Sequence, residues 1–323
     1  MKKLFILAAA IVAFASCSKE PETIVNDGSI KFMSAQTRAT VETKLETLQE
    51  SGKGFYVTGY ANTTSIFENQ LAAWNSEGYW KTEEVKYWAD GTDYNFFAVY
   101  PSYEPTVAQD LSSAKYSFTN DGKSVDLILA GTKLEDVDKT RTDAADLTFN
   151  HALARVKFVF ENAFTQDGIT VTVTDVELRE SVKTADVTIG NDNKITWSNF
   201  EATPSLTIPF TLTACNKIAL NGKGNTNYRY IIPRTQKYQL ACRIVVADRD
   251  DQVIREFDYT TTPMTVDTNT AADAASTDIA SECGQTYVYT MKVSTGLNPI
   301  TFTCTVSPWV DDQNKGEIEF PNN

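Results

Sequence analysis

One cysteine near the start of the chain stands where a covalent modification would require it. Lys2 and Lys3 precede an apolar run over residues 4–14, and Ala and Ser come directly before Cys17. This order is typical of a bacterial lipoprotein signal, since a peptidase needs small side chains beside the bond it cuts and the thiol of Cys17 takes up the lipid. The sequence therefore predicts a signal peptide over residues 1–16 and acylation, with chains such as palmitate, at Cys17.

Two alternatives exist for this leader: an ordinary secretory signal in which Cys17 is incidental, or a short membrane span. The apolar run is well short of the roughly 20 residues that cross a bilayer, which argues against a span. Residues 17–28 begin with a polar stretch that contains proline, so we expect a flexible tether. We expect the chain after Cys17 to lie outside the inner membrane, as a surface-exposed lipoprotein of the outer membrane.

Few other residues suggest chemistry. His151 is the single histidine, which argues against most nucleophilic triads and all multi-histidine metal sites, so we expect it to cap a strand or to satisfy a core hydrogen bond. Ser112 and Lys115 match SxxK without companion motifs. Asp248, Asp250 and the neighbouring Asp251 read as a solvated turn rather than a calcium site. We predict no catalytic residues, no metal, no cofactor and no enzymatic activity, although the many carboxylates leave a glycosidase pair open.

The net charge and the cysteines limit the partners and the cross-links that we expect for this protein. Two of the 29 Lys and Arg residues leave with the signal peptide, so 27 face 42 Asp and Glu residues, and such an acidic surface repels nucleic acid. The later cysteines contain no CxxC pair, and we expect buried free thiols, although an exported chain permits disulfides. These cysteines are Cys215, Cys242, Cys283 and Cys304.

The elements that would position these residues are strands. Alternation of apolar and polar residues recurs along the chain, for example over residues 94–100, 238–246 and 300–306, and turn signals such as Asn120-Asp121-Gly122 separate the runs. Many short strands predict an all-β class, and their number exceeds one sandwich. We place a boundary at residue 145, which gives an N-terminal β-sandwich domain over 29–145 and a C-terminal one over 146–323.

Two segments depart from this pattern. Val41, Leu45 and Leu48 share one face of a predicted helix over residues 41–50, with Thr40 as its cap. Residues 261–281 are rich in Thr, Ala, Asp and Ser without periodicity, which predicts a long loop.

A dense aromatic cluster over residues 74–103 could be core or a stacking surface for sugars. Tyr94, Phe96 and Ala98 share one face of a predicted strand, which favours core. Trp74 and Trp80 flank a glycine-containing turn and are the better candidates for exposure and glycan contact.

Several short segments, taken in their order along the chain, resemble the fimbrillins, which are subunits of type V pili assembled from lipoprotein precursors. The resemblance covers nearly the whole chain after the signal peptide, and the strongest match is similar to the family's domain-junction segment. The matching segments are 29–32 with 37–40, 54–60, 94–101, 147–158, 230–233, 283–287 and 305–309.

The resemblance implies two tandem transthyretin-like β-sandwich domains, transport to the outer membrane as a lipoprotein, and cleavage after the first strand by an arginine-specific protease. In this chain that cut falls between Arg38 and Ala39. Losing the first strand would open a hydrophobic groove, and an open strand edge pairs readily with another chain. Alternatively, Arg38 is only a loop residue.

The resemblance also implies a donor strand from the C-terminal end, within residues 299–320. Its candidate plugs are Ile300, Phe302, Cys304 and Val306; the alternative is that this segment is an internal strand pair. We therefore predict a fimbrillin-like structural subunit or adhesin of a cell-surface pilus, whose partners are other pilus subunits, the outer membrane through Cys17, and a host or bacterial surface ligand. The alternative function is a glycan-binding outer-membrane surface lipoprotein.

Overall fold

The computed structural model describes residues 28–36, 48–49, 53–122, 125–234, 239–260, 281–295 and 300–308. Several predictions lie outside these ranges: the signal peptide, Cys17, the tether up to residue 27, Arg38, Ala39, and the loop up to residue 280. Of the helix predicted over 41–50, only Leu48 and Gln49 are described, and Leu48 is buried in the core. Within the described residues, no helix is long and apolar enough to cross a bilayer.

The described elements of the first half are strands in which buried and exposed side chains often alternate. In β7, for example, Ala114, Tyr116 and Phe118 are buried and the residues between them are not. The strands are β1 (Phe32–Gln36), β2 (Gly54–Ala61), β3 (Thr64–Trp74), β4 (Trp80–Thr82), β5 (Thr92–Tyr100), β6 (Pro105–Val107), β7 (Ser113–Thr119), β8 (Ile128–Val137) and β9 (Ala145–His151).

The second half continues in the same way. Its strands are β10 (Ala154–Asn162), β11 (Thr170–Ser181), β12 (Thr184–Gly190), β13 (Ile195–Ser198), β14 (Leu206–Pro209), β15 (Leu212–Thr213), β16 (Lys223–Thr226), β17 (Arg229–Ile231), β18 (Gln239–Ala247), β19 (Val253–Thr260), β20 (Gln285–Val293) and β21 (Ile300–Pro308).

Seven strands of the first half close into a barrel in the order β1-β4-β3-β2-β5-β8-β9. The strand that closes it is β1, which is antiparallel to β4 on one side and parallel to β9 on the other. The interior is aromatic, and its fully buried members include Phe32, Phe55, Phe96, Trp80 and Phe149. Most of the predicted aromatic cluster is therefore core.

The second half forms a sandwich. A six-stranded sheet has β15-β16-β10-β20-β21 in order with β17 also on β10, and a four-stranded sheet has the order β14-β11-β18-β19. The two sheets enclose a second core, which contains Phe158, Leu178, Ile244 and Met291. In this arrangement β21 is an edge strand, paired with β20 alone among the described strands.

A third sheet, in the order β13-β12-β7-β6, joins the two halves. Strand β12 pairs with β7 over seven positions, and Val187 and Tyr116 pack with Val99 and Leu153 in a core between this sheet and the barrel. Strand β9, which begins at Ala145, belongs to the barrel. The boundary at residues 145/146 stays a prediction, but strands on its two sides pair with each other. Strand β9 pairs with β1 and β8, and β12 pairs with β7.

The all-β prediction is confirmed, whereas the two tandem transthyretin-like sandwich domains stay a prediction. In the first half, however, the main sheet closes on itself instead of remaining open, because β1 pairs with strands on both sides. The four later cysteines are free, and Cys215 and Cys242 are buried as predicted, whereas Cys283 and Cys304 are half-buried.

Candidate functional site: the first strand and its groove

The first-strand segment, residues 28–36, is hydrogen-bonded on both of its sides. Strand β1 pairs with β9 in five consecutive positions, from Phe32 opposite Ala145 to Gln36 opposite Phe149. Pairing with β4 is limited to Phe32 opposite Trp80. We call the space that this segment fills, between β4 and β9, the groove.

Backbone hydrogen bonds also hold the part of the segment that precedes β1. The Ile30 N–H donates to the Lys86 carbonyl at 2.7 Å, and the Trp88 N–H donates to the Gly28 carbonyl at 3.2 Å. On the other side, the Ala145 N–H donates to the Lys31 carbonyl at 2.7 Å. The segment thus supplies both donors and acceptors that the walls of the groove use.

Phe32 is the main apolar side chain that the segment places in the barrel. It has no exposed surface, and its ring centroid lies 5.2 Å from that of Phe96, 6.0 Å from that of Phe67 and 6.3 Å from that of Phe55. Ile30 is also buried, at 3% exposure, whereas Met33 is 45% exposed. Alternation along the strand therefore places Ile30 and Phe32 inside and Met33 outside.

Two polar contacts fix the segment more specifically. The indole N–H of Trp80 donates to the Ser34 hydroxyl at 2.8 Å. The Lys31 ammonium lies 4.7 Å from the centre of the Tyr79 ring, which stabilises a lysine that is only 4% exposed. Sequence reasoning missed both contacts, because the partners are far apart in the chain and neither pair forms a local motif.

This arrangement can hold an extended strand. If the first-strand segment left, the backbone groups of β9 and of residues 86–88 would lose their partners, and the space of Ile30 and Phe32 would open in the barrel core. Exposed strand edges beside apolar cavities bind extended chains by β-augmentation, with side-chain pockets that determine specificity. The groove thus has the features of a strand-binding site.

One expectation about the aromatic residues is wrong. Trp80 is not exposed: its accessible fraction is zero, because its indole fills the barrel 5.0 Å from Phe55 and 5.1 Å from Trp74 and donates inward to Ser34. Trp74 is half-buried. The two indoles therefore do not form a shared surface on which a sugar could stack.

The predicted donor segment lies in the sandwich. Strand β21 pairs with β20 over nine consecutive positions, with Cys304 opposite Tyr289, and Cys304 packs against the sandwich core. Burial raises the pKa of the Cys304 thiol to about 12. Ile300, Phe302 and Val306 are on the same strand, but their side chains lie outside the described part of the structure.

His151 has the core role that the sequence predicts. Its Nδ1 lies 2.6 Å from a carboxylate oxygen of Asp126, and the other oxygen of Asp126 accepts the Leu127 N–H at 2.8 Å. Both side chains are buried, so the pair ties the start of β8 to the end of β9. Among the described residues, no cluster of three or more His, Cys, Asp or Glu side chains could hold a metal ion.

The fold and the groove define an all-β protein in which the chain's own first strand completes a barrel. The chain belongs to the fimbrillin-like family, since the sequence model of that family matches residues 37–309. The resemblance noted from the sequence is thereby confirmed. This is a family of fimbrial and cell adhesion proteins and not a known enzyme family.

Solved structures agree on the fold. A fimbrial protein from Bacteroides vulgatus ATCC 8482 aligns with a TM-score of 0.58 at 14% identity, over 87% of this chain and 99% of its own. A candidate cell adhesion protein from Bacteroides uniformis ATCC 8492 aligns with a TM-score of 0.51 at 19% identity, over 88% of this chain and 99% of its own. At such identities the likeness shows the fold alone. No curated protein matches the chain.

Proposed function

We propose that the protein is a fimbrillin-like structural subunit or adhesin of a cell-surface pilus. It is exported as a lipoprotein through Cys17 and assembles by strand exchange after cleavage between Arg38 and Ala39. The observation that carries the proposal is that β1 closes the barrel and ends at Gln36, just before Arg38. A cut there separates the closing strand from the barrel that it completes.

Cleavage alone would leave β1 in place. The cut removes the covalent link, but the ladder to β9 and the buried Phe32 remain, and truncating such a buried phenylalanine to alanine costs about 3–5 kcal/mol. Release therefore needs a competing strand that offers similar contacts. This makes assembly an exchange of one strand for another.

The candidate donor repeats the side-chain spacing of the strand it would replace. Ile30, Phe32 and Ser34 occupy alternate positions of the first-strand segment, and Ile300, Phe302 and Cys304 have the same spacing in β21. In that register a second phenylalanine would fill the space among Phe55, Phe67 and Phe96, and the thiol of Cys304 would stand where the Ser34 hydroxyl accepts the Trp80 N–H. Sulfur is a weak acceptor, so this contact is the poorer match.

Donation requires that β21 leave β20. The nine-position pairing between them must break before β21 can enter the groove of another copy. The strand lies at a sheet edge, so among the described strands it loses one neighbour only. The donor strand β21 can thus be released without separating two strands in the middle of a sheet.

Limited digestion tests the proposal directly. The mature folded chain is treated with an arginine-specific protease, the new N-terminus is read by mass spectrometry, and size is measured by chromatography with light scattering. We expect an N-terminus at Ala39 and the appearance of oligomers, and we expect neither in the matched Arg38→Ala variant. A chain that stays uncut at Arg38, or that is cut there and remains strictly monomeric, would count against strand exchange.

Location is tested separately on intact cells. The proposal places the precursor in the outer membrane through the lipid on Cys17 and places the processed subunit in a fimbrium, with other pilus subunits as partners. Mass spectrometry of surface-released protein distinguishes an acylated N-terminus at Cys17 from a free one at Ala39. Recovery of only unprocessed, soluble protein without a lipid would contradict the export route.

A further inference from the structure

An asparagine from the second half of the chain lies between two strands of the barrel. The turn that joins β12 and β13 is closed by backbone bonds from Gly190 to Lys194 and from Asn193 to Gly190, each 2.9 Å long. Asn193 has a φ of 64°, a left-handed conformation that asparagine tolerates better than most residues. This backbone conformation brings the Asn193 side chain to the barrel.

The amide of Asn193 fills a gap in the barrel's own ladder. Strands β8 and β9 pair at Ile128 with His151 and at Leu129 with Asn150, and the pairing then stops. Continued at the same register, it would place Gly131 opposite Thr148. Instead, Asn193 Oδ1 accepts the Gly131 N–H at 3.0 Å, and Asn193 Nδ2 donates to the Thr148 carbonyl at 2.9 Å. One side-chain amide thus bridges the two strands where they diverge.

Close packing fixes the turn in this place. A Cβ on Gly131 would lie 2.1 Å from the carbonyl oxygen of Gly190, so the turn touches β8 at a position where only glycine fits. Both hydrogen bonds of the Asn193 amide are partly buried. The amide therefore has little freedom to move away from Gly131 and Thr148.

Thr148 is also part of the groove wall. Its register partner in β1 is Ala35, so β9 has the first strand on one side and the Asn193 amide on the other. When β1 is exchanged, the segment of β9 from Ala145 to Phe149 loses its β1 neighbour. The amide contact at Thr148 persists, because it comes from a different part of the chain.

We propose that Asn193 is a positioning residue that holds β9 in the geometry that accepts a strand while the groove is open. This inference rests on the proposed strand exchange. It assigns to the β12–β13 hairpin, which belongs to the second half of the chain, a role in keeping the first half ready for an incoming strand.

The same turn offers a matched control. Asn191 uses its Nδ2 to donate to Asn95 Oδ1 at 3.0 Å, which connects the turn to β5 and not to the groove wall. Loss of either amide weakens the docking of the hairpin. Only loss of the Asn193 amide should affect β9.

The test compares Asn193→Gly, Asn193→Asp and Asn191→Ala. Glycine keeps the left-handed backbone and removes the amide, whereas aspartate keeps the acceptor for Gly131 and loses the donor to Thr148. In the uncut chain, hydrogen exchange of the backbone amides over residues 145–149 is measured. In the Arg38-cleaved chain, from which the cut first strand has been removed by partial unfolding and chromatography before refolding, binding of a fluorescent peptide with the sequence of residues 29–36 is measured.

We expect both Asn193 variants to raise the hydrogen-exchange rates over residues 145–149 and to weaken peptide binding about five- to tenfold, the effect of losing the one partly buried hydrogen bond to Thr148. Asn191→Ala should stay close to wild type in both assays. Wild-type exchange rates in Asn193→Gly, or equal effects of the Asn191 and Asn193 variants, would overturn the role of Asn193. If the cleaved wild-type chain binds no peptide, the proposed strand exchange fails. This outcome is distinguishable from a failure of the Asn193 role, because the hydrogen-exchange rates are measured in the uncut chain without peptide.

Discussion

Truncating Phe32 should destabilise the barrel more than any other change in the first strand. The ring is fully buried and lies within 5.2–6.3 Å of three other phenylalanine rings. Phe→Ala at such sites costs about 3–5 kcal/mol, because the lost contacts leave a cavity that the surroundings fill only partly. We therefore expect Phe32→Ala to lower the free energy of unfolding of the barrel by about 3–5 kcal/mol.

Met33 provides the control, since it is the next residue on the same strand and is 45% exposed. Met33→Ala should change stability by less than about 0.5 kcal/mol. Guanidinium unfolding followed by tryptophan fluorescence is suitable, because Trp80 and Trp88 are in the barrel core. Equal midpoints for Phe32→Ala and Met33→Ala would refute the assignment of Phe32 as the residue that closes the barrel.

Further predictions address the polar contact, the thiols and assembly. Ser34→Ala should cost about 1–3 kcal/mol in the same unfolding assay, since the buried Trp80 N–H loses its acceptor; an unchanged midpoint would show that water replaces the hydroxyl. Burial raises the pKa of Cys242 to about 12, so at about pH 8 this buried thiol should react with Ellman's reagent only after unfolding. The unfolded thiol loses its proton first, so stability present below about pH 9 should fall as the pH rises from 9 to 12, and Cys242→Ala should flatten that fall. In the cleaved chain, Phe32→Ala should exchange its first strand faster than wild type, as shown by earlier oligomers.

The sequence predicts the class of fold well because strand alternation is local information. Residues 94–100 and 238–246, both predicted as strands, are β5 and β18 within one residue or two, although residues 94–99 of β5 are all buried. The role of His151 was also predictable, since a lone histidine in a largely apolar segment requires a partner when it is buried. That the partner is Asp126 was not, because nothing in the sequence joins the two positions.

The features that make the groove were harder to predict, since each depends on long-range pairing. Trp80 follows a glycine-containing turn, which suggests exposure, yet closure of the barrel places it inside. In the sequence Asn193 has the features of an ordinary turn residue, because the contacts of its amide with Gly131 and Thr148 arise only when the hairpin docks on the barrel. The parallel pairing of β1 with β9 likewise joins segments more than a hundred residues apart.

That parallel pairing has a consequence for the symmetry of any assembly. A strand that takes the place of β1 in the same register must run in the same direction as β9, so every groove receives its donor with one polarity. The donating and accepting surfaces of a subunit are then different, which makes the contact heterologous, and a heterologous contact that does not close into a ring extends without limit. The filament would have two unlike ends, one with a groove that no donor strand has entered and one with an unused donor strand. A partner that supplies only a strand, or only a groove, could then terminate one end and leave the other to grow.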